Sequence, residues 1–278
     1  MKNFSEELLQ KIETFPCLPH AVIDIIRSTN DDNMEVNDLV KIIDSDLGML
    51  TSVLKLANSA RYNSFGKVAS TQRAIMLLGS NTIRHLALLG GTSAHLKKTC
   101  GKGLDFNKFM SHSIGVACCA KHLAKRCNEN QDVAFISGLL HDIGQLFLAG
   151  YMPVEMVEIN NYQKEHNCHA SIAETEILGV NHAWIGSQMT KAWLFPAAIS
   201  DGIEHHHAAQ YMHPTKIADI IHVAEVLSHA LDLGSLGIVP PLAPNALNRL
   251  NITFNSLLPD FSAIEDEHTC LAHDLSYS

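Results

Sequence analysis

The stretch Ser137-Gly138-Leu139-Leu140-His141-Asp142-Ile143-Gly144 ends an apolar run in an adjacent imidazole and carboxylate. Burying that pair without partners is expensive. One divalent cation would satisfy both, because imidazole and carboxylate together suit Zn, Fe or Mn. The same residues also fit a helix junction, with His141 capping a carbonyl and Asp142 capping the next helix. Further donors follow at separated places. His112 sits at helical spacing with Val116 and Cys119, His182 opens a helix, and His206-His207 close another. Glu225 lies among Ile221, Val223, Ala224 and Val226, a poor setting for an unpaired carboxylate. Each has a plain structural alternative: a hydrogen-bonded core histidine, an N-cap, a helix C-terminal charge, a solvated face. Taken jointly, inward polar groups from five segments are explained at once by a shared metal centre in a helix bundle. Two ions about 3.5–4 Å apart that share a carboxylate are an arrangement for phosphoryl hydrolysis. His122, His205, His213, His222 and His229 are assigned to structural or surface roles.

Those donors need a scaffold, and the periodicity supplies helices almost throughout, with no run of strand alternation. Helices are expected from about Pro19, over Glu35–Asp44, from Asp46 and from Ser70 or Thr71 to near Leu78-Gly79, and from Ser80 or Asn81 to about Leu96. Phe106–Cys127 forms one long helix. Asp132–Leu140 ends at the His-Asp pair. Further helices are expected over 153–165, 171–178, 182–194, 197–205 and 214–233, and two short ones near 245–250 and 254–258, before an acidic patch and a fraying tail. The expectation is therefore an all-α, two-lobed bundle. Thr99-Cys100-Gly101-Lys102-Gly103 marks the boundary between a lobe at 1–103 and a lobe at 104–278.

The whole chain has 278 residues and a formal net charge of −9, which opposes phosphate backbones and argues against nucleic-acid binding. Its seventeen histidines gather in the second half. Seven cysteines lack any Cys-x-x-Cys pair, and Cys118-Cys119 fit an apolar helix face, so no disulfide framework is expected. No uninterrupted apolar stretch of about 18 residues occurs, so no membrane span is expected. The N-terminus lacks a signal-peptide pattern, which gives a cytoplasmic expectation. Neither a phosphate-cradling Gly-x-x-x-x-Gly-Lys-Ser/Thr loop nor a Gly-x-Ser-x-Gly elbow is present.

The series His112, His141-Asp142, His182, His206-His207 and Glu225 resembles the HD (His-Asp) metal-dependent phosphohydrolase superfamily, particularly its HD-GYP branch. Leu18-Pro19, Ile43-Asp44-Ser45-Asp46-Leu47, Leu54-Lys55-Leu56-Ala57-Asn58-Ser59, Ser70-Thr71-Gln72-Arg73-Ala74-Ile75 and Leu78-Gly79 resemble the HDOD family within it. So do Gly138–Gly144, Trp193-Leu194-Phe195-Pro196 and the His206-His207 pair. The resemblance implies an all-helical bacterial signalling protein, in a family whose members typically lose the HD ligands and lack proven catalysis. This chain keeps the ligand positions. By resemblance to HD-GYP enzymes, one divalent ion (Fe, Mn, Zn or Ni) would take His112, His141, Asp142 and Glu225. A second would take Asp142, His182, His206 and His207, with Asp142 bridging. Glu225 replaces the usual Asp, and Gln145 replaces the usual Lys after the His-Asp-Ile-Gly motif. The Gly-Tyr-Pro signature of cyclic-dinucleotide hydrolysis is absent. The expectation is a signalling module with a protein partner and a retained metal site. The alternative is an active phosphohydrolase on a phosphate-containing, nucleotide-like ligand, with Asp142 in the catalytic role.

Overall fold

The computed structural model describes residues 2–30, 34–58, 67–101, 104–207, 215–234 and 237–276. In chain order the helices are α1 (Lys2–Thr14), α2 (His20–Arg27), α3 (Val36–Asp44), α4 (Leu47–Ala57), α5 (Thr71–Leu78) and α6 (Ser80–Thr99). They continue with α7 (Phe106–Cys127), α8 (Gln131–Leu140), α9 (Ile143–Tyr151), α10 (Pro153–His166), α11 (Ala170–Leu178) and α12 (His182–Ala192). The last are α13 (Ala197–His205), α14 (Lys216–Ala230), α15 (Pro244–Leu250), α16 (Phe254–Leu257) and α17 (Phe261–Ser276). Among the described residues no β-strand occurs, and the fold is all-α.

Contacts divide the chain into a larger unit, 1–16 with 99–269, and a smaller one, 17–98 with 270–278. The chain passes between them at 98/99, but both termini group differently from the division 1–103 and 104–278 expected above. Residues 1–16 group with the larger unit because Phe15 packs its ring on Phe147, Tyr151 and Trp193, with centroids 5.9, 5.2 and 6.4 Å away. The tail is corrected too. Residues 261–276 form a helix rather than fraying. In it Ile264 and Leu271 are buried, and Glu267 accepts from Lys121 Nζ at 2.6 Å and lies 3.2 Å from His122 Nε2. Of the expected loops and hinge, residues 59–66 and 102–103 lie outside the described residues, as does His213.

In the larger unit α7 packs on α8 and α14, α13 on α14, α8 and α12, and α12 on α9. Two glycines set the closest approaches. A Cβ on Gly138 would lie 2.9 Å from the Ala117 backbone, so α8 can approach α7 only with glycine there. A Cβ on Gly144 would lie 2.1 Å from the His182 carbonyl oxygen, so Gly144 lets α12 bring His182 to the His-Asp pair. Counted as one stretch, Gln131–Tyr151 is apolar enough to cross a membrane, with mean hydropathy 1.4, but 89% of that window is buried inside the protein. It is the core on which the site is built.

Candidate metal centre

Four helices that carry the centre start on side-chain caps. Asp105 accepts from Lys108 N–H, Asn130 from Asp132 and Val133, Asn181 from Trp184, and Thr215 from Ala218. Such caps fix where each helix begins, and hence which turn faces inward. His112, His141, Asp142, His182, His206 and Glu225 are all at most 3% exposed, and the His207 side chain is 10% exposed.

Of the seven residues selected from the sequence, His112, His141, His182, His206 and His207 come together around Asp142, whose two oxygens face different groups, and Glu225 joins them beside His207 and His112. Oδ2 lies 3.4 Å from His141 Nε2 and 3.9 Å from His112 Nε2. Oδ1 lies 3.1 Å from His182 Nε2 and 3.9 Å from His206 Nε2. His207 Nε2 is 2.9 Å from His182 Nε2, and His207 Nδ1 is 3.6 Å from Glu225 Oε2. Donor atoms of Asp142, His182, His206 and His207 lie within 4.8 Å of one another, as do those of His112, His141 and Asp142.

Both halves of the junction alternative are resolved here. His141 Nδ1 does cap: it is 2.7 Å from the Gly138 carbonyl, and His206 Nδ1 stands 2.6 Å from Ile203 O in the same way. Each ring donates its Nδ1 proton to a carbonyl three residues back at a helix end, which leaves the Nε2 lone pair aimed inward. Asp142 makes no side-chain cap on α9. Asn181, not His182, caps α12. Glu225 is not on a solvated face.

Sequence reading missed three contributors. Glu174 is 2% exposed and accepts from both the His182 backbone N–H and Nδ1–H, at 2.7 and 2.6 Å, which orients that imidazole. His169 caps α11 by accepting from Ser171 N–H, and its ring centroid is 4.6 Å from that of His207. His229, set aside above, lies 5.2 Å ring to ring from His112. The Glu225–His229 spacing of one helical turn was a usable signal, whereas nothing local marks Glu174. His222, also set aside, is buried; its Nδ1 meets His206 O at 2.9 Å and its Nε2 accepts from Ala243 N–H.

Protonation follows from burial and charge. Burial, with His141 adding to it, lowers His112 to about 3. Burial likewise lowers His141, His206 and His207, and brings His169 down to about 4. These imidazoles are therefore neutral at pH 7, the form that ligates metals. For His182 burial acts downward, but the Glu174 and Asp142 carboxylates outweigh it and raise its pKa well above the ordinary value. For Asp142 burial acts upward, but His141 and His182 hold the carboxyl well below the usual range. Burial and then Asp142 push Glu225 well up.

Buried atoms left without hydrogen bonds include His112 Nδ1, His141 Nε2, Asp142 Oδ1, His206 Nε2 and Glu225 Oε2. His182 Nε2 lies 3.1 Å from that Oδ1. Orphans at this density call for a missing partner, and a borderline divalent cation fits a donor set of imidazoles and carboxylates. Beside them opens a cleft of about 340 Å³ bordered by His169, His207, Thr175, Glu176, Asn181 and Glu204. Among the described residues no lysine or arginine lines it.

An all-helical unit centred on an adjacent His-Asp pair is the architecture of HD-type proteins. The HDOD domain profile matches residues 15–209, and the chain belongs to the HDOD family. An uncharacterized protein of Treponema pallidum (strain Nichols) is 25% identical over 207 residues, 74% of this chain. The chain spans only 40% of that relative's length. An HDOD domain protein of unknown function from Geobacter sulfurreducens has a crystal structure similar at TM-score 0.76, with 23% identity over 96% of this chain and 99% of that one. A crystal structure titled "Putative phosphohydrolase", from Shewanella amazonensis SB2B, gives TM-score 0.77 and 24% identity over 96% and 97% of the two chains. At those identities the structures speak for the fold.

Proposed function

We propose that this chain is a bacterial, cytoplasmic regulatory HDOD protein that retains an HD-type centre with two divalent cations, one on each side of Asp142. His112 and His141 would serve the Oδ2 side, with Glu225 nearby, and His182, His206 and His207 the Oδ1 side. The observation that carries this is the set of buried nitrogen and oxygen atoms without hydrogen bonds that converge from α7, the His-Asp junction, the end of α13 and α14. When bound, the cations supply compensating positive charge and lower the pKa of any water they hold. The protein's own groups do the positioning: Gly138 and Ile203 carbonyls fix two rings, and Glu174 fixes a third.

Regulation through a protein partner is favoured over turnover by the rim of the cleft. Glu176 and Glu204 border it, and Lys191 is held at Glu204 at 2.5 Å, so phosphate meets carboxylates first. Gln145 brings a neutral amide where the resemblance to HD enzymes implies a lysine. The seven cysteines are in no disulfide among the described residues, which fits a reducing compartment, and the net charge of −9 disfavours nucleic acid. A second reading, hydrolysis of a phosphate ester, is favoured by the cleft itself, which reaches His207 and His169.

Elemental analysis of the purified protein, paired with phosphatase and phosphodiesterase assays against Asp142→Ala, decides between them. The expected result is bound divalent metal and no turnover above that variant. Turnover that disappears in Asp142→Ala would establish the hydrolase, and metal-free protein that takes up no added cation would sink both readings.

A further inference from the structure

Glu225 stands where HD proteins carry an aspartate, and its extra methylene extends the carboxylate by about 1.5 Å. Donor atoms of Glu225, His112 and His229 lie within 4.8 Å of one another, and so do those of Glu225, His169 and His207. Among the described residues, no such trio places Glu225 with His141 or Asp142. The longer side chain sets its carboxylate among His112, His229, His169 and His207. Of the two trios, the one with His229 is the better cation position. His169 Nδ1 is already engaged by Ser171 N–H and Oγ at 3.2 and 2.9 Å, which ties that ring to capping α11. His112 Nδ1, by contrast, is buried and makes no hydrogen bond; Glu225 Oε2, common to both trios, makes none either and stands 3.6 Å from His207 Nδ1. His229 lies one turn after Glu225 on α14, so both share a helix face, and α14 packs directly on α7, which carries His112.

We propose that His229 is a metal ligand, forming with Glu225 and His112 a two-histidine, one-carboxylate position for a divalent cation such as Mn(II), Fe(II) or Co(II). The donor set suits such borderline ions and leaves coordination positions free. A neutral imidazole has one lone pair, so His112 serves this position in place of the Asp142 Oδ2 side, which keeps His141, and the centre extends along α14 rather than ending at Glu225. This rests on the reading that the chain binds divalent metal at all.

The test is titration with Co(II) of wild-type protein, His229→Ala, Glu225→Asp and His229→Cys, following stoichiometry by calorimetry and ligation by absorption. His229→Ala and Glu225→Asp are expected to weaken one binding event by more than about 10-fold, leaving the events that need Asp142 in place. His229→Cys should bring a sulfur-to-cobalt charge-transfer band that the wild type, with its seven native cysteines, lacks. A purely structural histidine would not produce that band, and the cysteine variant answers the question even should the alanine variant fold poorly. Unchanged binding in His229→Ala, or no new band in His229→Cys, overturns the proposal while leaving the Asp142 centre standing. Wild-type protein that binds no Co(II) overturns the functional reading beneath it.

Discussion

Among the described residues of the smaller unit, the buried polar side chains are Thr29, Thr71, His85, Thr92 and Ser93. The larger unit buries Asp132, Asp142, Glu174, Asp219 and Glu225, together with His112, His141, His182, His206 and His222. In the smaller unit Thr29 donates to Ile26 O, Thr92 to Leu88 O, and Thr71 to Asp44. In the larger unit Asp219 is held by Arg249 through two bonds of 2.6 and 2.7 Å, and Glu174 is held by His182. Asp142 and Glu225 face imidazoles that burial keeps neutral, His182 excepted. One unit is consistent with packing alone. The other contains buried charge that its own side chains leave incompletely compensated, a state that is costly without an added cation.

The largest way to break this contrast is Asp142→Ala. It is expected to remove bound metal and, at free cation about 1,000 times Kd, to lower stability by about 4 kcal/mol. Amide exchange should accelerate in α7–α14 and stay unchanged in α2–α6; equal acceleration in both units would refute the contrast. Next comes acid. Two partners, Lys121 and His122, overcome burial and hold Glu267 at about 2, against an ordinary 4.5. Its contribution is therefore present in full above pH 4.5 and is lost as pH falls toward 2. Relative to Glu267→Gln, metal-free wild type should lose about 2 kcal/mol across that window, read from urea midpoints. Parallel pH profiles for the two proteins would show that Glu267 contributes nothing there.

A smaller effect is expected from Glu174→Gln, which keeps the shape and removes the charge behind His182. Divalent-ion affinity should fall by about 10-fold, and an unchanged value would deny Glu174 its orienting role. The smallest effect sharpens the comparison from the other unit. Asn58 pairs with Val68 through its amide, donating to the carbonyl at 2.7 Å and accepting from the N–H at 2.8 Å. Asn58→Ala should cost about 1 kcal/mol and leave metal affinity untouched, with both quantities read on one preparation.

Much of this was legible in the chain. Helical spacing and a cap such as Asp46 are local, so the elements that position the site could be placed to within a few residues, although Asn181 rather than His182 caps α12. The odd setting of His112, His141-Asp142, His182, His206-His207 and Glu225 was equally visible, because a polar group among apolar neighbours carries its own anomaly. The helix at 261–276 was hidden, since its acidic patch resembles a solvated tail until Lys121 and His122 are brought to it from 145 or more residues away. Glu174 was hidden for the same reason: its partner is defined by an approach of α11 to α12 that no periodicity encodes.

Sequence by itself determined the helical scaffold and the inventory of donors, because periodicity, capping and residue chemistry act over a few residues. Only the tertiary structure decided which oxygen of Asp142 faces which imidazole, and that Glu225 Oε2 stands 3.6 Å from His207 Nδ1. Those choices depend on where α7 and α14 cross and on glycines 138 and 144 letting backbones touch. Such distances belong to the packed chain and to no local stretch of it.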